Sequence, residues 1–95
     1  MSAFSLYLLR TRSGALYTGV ATDVARRVRE HEEGRRGAKC LRAKGPLALV
    51  YSVELGERAL AQRAERRVKA LSKAEKEALA AARPGPVELL ERLGL

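Results

Sequence analysis

The sequence is poor in the residues that build disulfides, zinc sites and aromatic cores. It contains no tryptophan, one phenylalanine, one cysteine and one histidine. A single cysteine excludes an internal disulfide framework, and with a single histidine no zinc site of the usual kind can form. We therefore expect Cys40 to be a buried or half-buried thiol. Because the chain also has no apolar run as long as a membrane span and no secretory leader pattern, we expect a cytoplasmic protein.

Length and charge indicate one small domain with a polyanionic partner. The 95 residues suffice for one modest core, which Leu, Val and Ala must fill because aromatic residues make up only 4% of the chain. The formal net charge of +8 and the pI of about 10.4 suggest nucleic acid as the partner. An Arg- and Ala-rich composition can equally reflect the base composition of a genome, so charge alone does not identify the partner.

Two short segments near the N-terminus predict a β-hairpin that carries two tyrosines. Apolar residues alternate over residues 4–9 and again over 15–20, as in half-buried strands. A three-residue loop with Gly14 in the left-handed conformation would put Tyr7 and Tyr17 on one face of the sheet, as diagonal neighbours roughly 7–8 Å apart. A two-residue loop would send the tyrosines to opposite faces instead.

A helix that presents a polar stripe follows the hairpin. Thr22 or Asp23 can cap this helix, which runs to about Glu33. Asp23, Arg27 and His31 follow one another at intervals of four residues, so their side chains share one side of the helix.

The remaining segments alternate between basic, apolar and amphipathic patterns. Residues 34–46 mix cations with glycine and predict a basic loop, and residues 47–55 are apolar enough for a central strand. Residues 57–71 predict a helix with Glu65 at the edge of its apolar arc, hence a partly buried carboxylate. A capping box predicts a third helix over residues 72–83.

Taken in order, five segments resemble the GIY-YIG nuclease domain, in particular the small stand-alone bacterial proteins of that superfamily. They are SLYLL, LYTG, DVARRVREHEEG, GAKCLRAKGPLALVYS and LAQRAERRVKAL. The resemblance extends over residues 4–82 and rests on the order and spacing of the segments. Ser5, Leu6 and Thr18 depart from the two name-giving tripeptides, but at backbone or packing positions that leave the chemistry intact.

The resemblance implies a small α/β domain of the α+β kind, with a three-stranded antiparallel sheet flanked by helices in the order β-β-α-β-α-α. It also implies metal-dependent hydrolysis of DNA phosphodiester bonds. Arg27 would hold a non-bridging phosphate oxygen, and Glu65 would anchor one Mg²⁺ or Mn²⁺. We divide the chain into this domain, residues 1–83, and a short amphipathic tail, residues 84–95.

The tyrosines and the histidine complete the catalytic set that the resemblance implies. Tyr17 would act on the attacking water as the base and Tyr7 would orient it, with His31 as a relay. A phenol has a pKa of about 10, so a base role needs a nearby cation, and Arg27 would supply it. Gly19 would let the backbone pass close to the site. Cations of the basic loop would contact flanking phosphates without reading sequence, namely Arg35, Arg36, Lys39, Arg42 and Lys44.

Other interpretations remain open at this stage. The tyrosines can be packing residues, Arg27 can pair at helical spacing, and Glu65 can pair with Lys69. Tyr51 is interpreted as a core residue. A non-catalytic module that binds branched or damaged DNA or structured RNA is the alternative to the nuclease, and a ribosomal accessory protein is a third possibility. We expect a monomer rather than a homodimer, with specificity that is structure-directed, in repair or recombination, or supplied by a protein partner.

Overall fold

The computed structural model of the chain describes residues 2–33 and 46–95. Its elements confirm the predicted order β-β-α-β-α-α and add a final helix from the C-terminal tail. None of the helices in these two ranges is long and apolar enough to cross a membrane. The elements are β1 (Phe4–Arg10), β2 (Leu16–Ala21), α1 (Val24–Glu33), β3 (Ala48–Gly56), α2 (Arg58–Lys69), α3 (Lys73–Ala82) and α4 (Pro86–Leu93).

The three strands form an antiparallel sheet in the order β2-β1-β3, so β1 is the central strand. The predictions that β1 is half-buried and that β3 is central were therefore wrong. Residues 6–9 of β1 are buried without interruption because both faces of the sheet are covered there. On the edge strand β3, by contrast, buried Tyr51 and Val53 alternate with exposed Ser52 and Glu54.

The hairpin between β1 and β2 has the predicted odd loop. Gly14 adopts a left-handed conformation with φ of 92°, and the Thr11 amide donates to the Ala15 carbonyl at 2.9 Å. The register that follows pairs Tyr7 with Gly19 and Leu9 with Tyr17. Both tyrosines consequently lie on the same face, as predicted.

One face of the sheet is covered by α2, α3 and α4. Leu6 and Leu8 of β1 pack there against Val68 of α2 and Leu89 of α4. The predicted capping box at the start of α3 is present. Tyr51 is also part of this core, as predicted, and its hydroxyl donates to the Pro84 carbonyl at 2.6 Å.

The opposite face is covered by α1. Val24 and Val28 of this helix pack against the small cluster that contains Tyr7 and Leu9. The helix begins after Asp23, whose Oδ1 accepts from the Arg26 amide at 3.0 Å, so the aspartate forms the predicted cap. The tyrosines of the hairpin therefore lie beneath the helix that carries the only histidine of the chain.

Candidate active site

The two phenols are neighbours on the α1 side of the sheet. The rings of Tyr7 and Tyr17 lie 6.5 Å apart between centroids and are tilted by 41°. Tyr7 is 1% exposed, whereas Tyr17 is half-buried. The central strand β1 buries Tyr7, whereas the edge strand β2 leaves Tyr17 accessible to a ligand.

Gly19 faces Tyr7 across the hairpin, and the Tyr7 ring fills the space that the glycine leaves. A Cβ at position 19 would overlap with Cζ and Oη of Tyr7. Glycine is thus required here by the close approach of a side chain, and not by an unusual backbone conformation.

His31 lies in the last turn of α1, beside both phenols. Its side chain is 1% exposed, and Nε2 is 3.0 Å from the Tyr7 hydroxyl oxygen. The Tyr17 ring meets the imidazole edge-on at a centroid distance of 5.4 Å. Burial, together with the charge of Arg27, lowers the pKa of His31 despite the opposing charge of Glu30. The imidazole is therefore neutral at pH 7 and can accept a proton.

Arg27 lies one helical turn before His31, and its guanidinium is near Tyr7. Burial and the neighbouring Tyr17 raise the pKa of Tyr7 to about 12, although the charge of Arg27 and its hydrogen bond to the phenol act in the opposite direction. Arg27 thus acts on Tyr7 in the expected direction, but burial outweighs it. Its expected effect on Tyr17, the base of the implied set, stays a prediction. Tyr7 remains a protonated phenol at neutral pH.

Glu65 reaches the same region from α2. Its side chain is 20% exposed, as expected for the edge of an apolar arc, and it pairs with Lys69 at 3.3 Å. Its charge is close enough to Tyr7 to contribute to the raised pKa of that phenol. All five residues of the implied catalytic set, from four different elements (β1, β2, α1 and α2), therefore lie in one region of the molecule.

Glu65 is the carboxylate that the implied catalytic set offers to a metal ion. In the two described ranges, no group of three or more His, Cys, Asp or Glu side chains is placed to bind an ion. One carboxylate does not make an all-protein cage. It fits an oxygen-preferring ion such as Mg²⁺, which keeps several waters and takes a substrate phosphate as a further ligand.

Sequence reasoning did not name Glu30, although it allowed Arg27 a partner at helical spacing. Its Oε1 accepts from Arg27 at 3.1 Å and its Oε2 accepts from Arg26 at 3.3 Å. These side chains line one wall of a groove of about 470 Å³ between α1 and β2. Spacings of three and four residues along α1 were the signal that could have identified the pairs. The five predicted phosphate-binding cations at positions 35–44 lie outside the described residues and stay predictions.

Comparison with known proteins finds similarity over most of the chain. The GIY-YIG catalytic domain family matches residues 3–78. The chain is 53% identical over 93 residues to UPF0213 protein YhbQ of Escherichia coli strain K12, covering 98% of this chain and 92% of that protein. It is 52% identical, with the same coverage, to the protein of that name from Shigella boydii serotype 18.

A solved structure is also similar. It is the solution NMR structure of the UPF0213 protein BH0048 from Bacillus halodurans, with a TM-score of 0.56 and 38% sequence identity. The similarity covers 94% of this chain and 93% of that one.

Proposed function

The chain belongs to the GIY-YIG family of catalytic domains, a nuclease family, and on that premise we propose that it is a metal-dependent endonuclease that hydrolyses DNA phosphodiester bonds. The observation that carries the proposal is the buried His31 beside the phenols of Tyr7 and Tyr17. Arg27 lies one helical turn before His31, and the charge of Glu65 is close enough to Tyr7 to contribute to its raised pKa. A structure-directed role in repair or recombination, as a monomer in the cytoplasm, completes the proposal.

Tyr17 is the base and Tyr7 the orienting residue in this proposal. The pKa of Tyr7, at about 12, keeps its phenol protonated at neutral pH, which suits a hydrogen-bond donor and not a base. Tyr17 is the more accessible of the two phenols. In the tautomer in which His31 Nε2 carries the proton, it donates to the Tyr7 hydroxyl oxygen at 3.0 Å, so Tyr7 keeps its own proton for the attacking water. A proton passed on from Tyr17 would then go to Nδ1, the acceptor nitrogen of that tautomer.

Two charged side chains complete the proposed chemistry. Arg27 donates charge-assisted hydrogen bonds to a non-bridging phosphate oxygen, where negative charge develops during hydrolysis. Glu65 would hold one Mg²⁺ or Mn²⁺, and that ion would supply charge stabilisation of the leaving oxygen. Glu30 is paired with Arg27, so it fixes the direction in which the guanidinium points.

Cleavage by a Glu65→Gln variant tests the proposal. Labelled duplex, single-stranded and branched DNAs are incubated with wild type in Mg²⁺, in Mn²⁺ and in EDTA. We expect cutting that requires the metal and falls at least about 100-fold in the variant, because the carboxylate that anchors the ion is lost.

Glu57→Gln is the matched control, since Glu57 is exposed at the start of the same helix and its side chain makes no cap bond. It should cut like wild type. Metal-independent cutting, or equal cutting by Glu65→Gln and wild type, would contradict the proposal. Tight, salt-sensitive binding by all three proteins without any cutting would instead favour a non-catalytic DNA-binding module.

A further inference from the structure

Positive charge is distributed unevenly among the helices. α2 carries five cations and one carboxylate, whereas α1 and α3 carry equal numbers of cations and carboxylates, His31 being neutral. On α4 the carboxylates outnumber the single arginine. Among the described helices, α2 alone is strongly basic.

Four polar residues of α2 form a continuous surface beside Glu65. They are Arg58, Gln62, Arg66 and Lys69, all exposed, and we call them the α2 basic face. At 100° per residue they lie within an arc of about 80°, and Glu65 lies about 20° beyond the edge of that arc. The helix that contributes the carboxylate of the site therefore also carries a strip of cations next to it.

Among the described residues, ion pairs account for Lys69 of this face but not for its two arginines. Arg67, on the other side of α2, donates to the Leu93 carbonyl at 2.7 Å and so holds α4 in place. Lys69 is paired with Glu65. Within the described part of the chain, no ion pair involves Arg58 or Arg66.

The positions of these cations also destabilise α2. Arg58 lies in the first turn, where the helix dipole disfavours a cation, and that turn contains no acidic residue. Arg66 is three residues from both Arg63 and Lys69, and like charges at that spacing repel. A bound polyanion would remove both costs, because it neutralises the exposed guanidinium groups.

We propose that the α2 basic face binds the phosphate backbone of duplex DNA beside the phosphodiester that faces Glu65. Arg58 and Arg66 are about 12 Å apart along the helix axis, a length of about three to four base pairs of duplex. Contacts of this kind position DNA without reading its sequence. The inference takes DNA as the ligand from the proposed function and assigns to α2 the task of holding it.

Salt dependence of binding tests the inference. Fluorescence anisotropy of a labelled DNA duplex in EDTA, where no cleavage occurs, is measured between 50 and 300 mM salt. Arg58→Gln/Arg66→Gln should bind about tenfold or more weakly at 100 mM salt, and its slope of log K against log salt should be about 2 units shallower. Thermal melting confirms that these exposed substitutions leave the fold intact.

Arg63→Gln/Lys76→Gln is the matched control, because it removes the same charge from two positions outside the α2 basic face, one on α2 and one on α3. Its slope should remain that of wild type. Equal losses in both variants, no loss in either, or no salt-dependent binding by wild type would overturn the inference, as would a loss confined to duplex RNA.

The outcomes also separate this inference from the nuclease proposal. Binding that depends on Arg58 and Arg66 without any cleavage by wild type retains the DNA-binding face and rejects the nuclease. Metal-dependent cleavage by wild type, with unchanged binding by Arg58→Gln/Arg66→Gln, retains the nuclease and rejects the face.

Discussion

Burial gives the two phenols of the candidate site different properties, although they are the same side chain ten residues apart. Tyr7 is on the central strand under α1, and burial raises its pKa to about 12. Tyr17 is on the edge strand and is half-buried. Sequence spacing predicted that both would share one face, but it could not predict which one α1 would cover. Burial therefore outweighs the acidifying effect of Arg27 on Tyr7.

Gly19→Ala should disturb the site without changing any group that takes part in the chemistry. The added methyl overlaps with the Tyr7 ring, so the phenol must move and its hydrogen bond to His31 must lengthen or break. We expect a loss of about 1–3 kcal/mol in the free energy of unfolding. Urea denaturation measures the loss, and the chemical shifts of the His31 ring report the broken bond.

Gly85→Ala is the control for the Gly19→Ala prediction. A Cβ at Gly85 meets no atom within 4 Å, and φ there is −70°. This variant should lose clearly less stability than Gly19→Ala and should keep the His31 chemical shifts of wild type. Unchanged His31 shifts in Gly19→Ala would contradict the role assigned to the glycine.

Local sequence signals correctly predicted those features of the strands and helices that depend on local geometry. The hairpin register followed from an odd loop with a glycine, and the start of α3 followed from a capping box. Coverage of a strand is different, because it depends on elements far along the chain. The apolar residues of β3 suggested a central strand, but β1 takes that place because it pairs with both other strands. Helices also cover both faces of β1.

One ion-pair network joins the hairpin to α3. Arg10 donates both of its terminal nitrogens to the Glu77 carboxylate, at 2.7 and 2.6 Å. Lys73 donates to the same carboxylate at 2.9 Å and to the Gly14 carbonyl at 3.0 Å. The loop that sets the tyrosine register is thereby attached to a helix residue 59 positions after Gly14, a contact that no sequence pattern predicted.

Glu77→Gln should destabilise the protein at neutral pH and have less effect in acid. The hydrogen bonds from Arg10 and then Lys73 lower the pKa of Glu77 to about 2, from an ordinary value of 4.5. The folded state thus favours the carboxylate, so this stabilisation is complete above about pH 4.5 and is lost as the pH falls towards 2. Urea midpoints of wild type and variant should therefore converge between pH 4.5 and pH 2.

Glu91→Gln is the control for this prediction, since Glu91 is exposed and the described residues include no ion pair to it. At pH 7 it should shift the urea midpoint less than Glu77→Gln does. A difference between wild type and Glu77→Gln that stays constant from pH 7 to pH 2 would show that the network contributes nothing through charge. The side chains of Arg10 and Glu77 are each about one-third exposed. Added salt should therefore also reduce the difference in urea midpoint between wild type and Glu77→Gln.

For the molecule as a whole, the C-terminal tail contributes to the core. Sequence reasoning divided the chain at residue 83 and left the docking site of the tail open, because an amphipathic segment of nine residues does not specify what it covers. Leu89 is fully buried and Leu93 is 7% exposed, both in the cluster formed by β1, β3 and α2. Arg67 of α2 adds a hydrogen bond to the Leu93 carbonyl.

Leu89→Ala should destabilise the whole protein and not only its last helix. Removal of this buried side chain leaves a cavity between α4 and the sheet, with an expected loss of about 2–5 kcal/mol. Val87→Ala on the same helix is the control, because Val87 is 69% exposed and its truncation should cost less than about 0.5 kcal/mol. If α4 belongs to the same cooperative unit, urea denaturation of Leu89→Ala followed by helix content and by tyrosine fluorescence gives one coincident transition at a lower midpoint. Two separate transitions, or a loss no larger than that of Val87→Ala, would show that residues 84–95 are a tail outside the folding unit, and the domain would then end at residue 83.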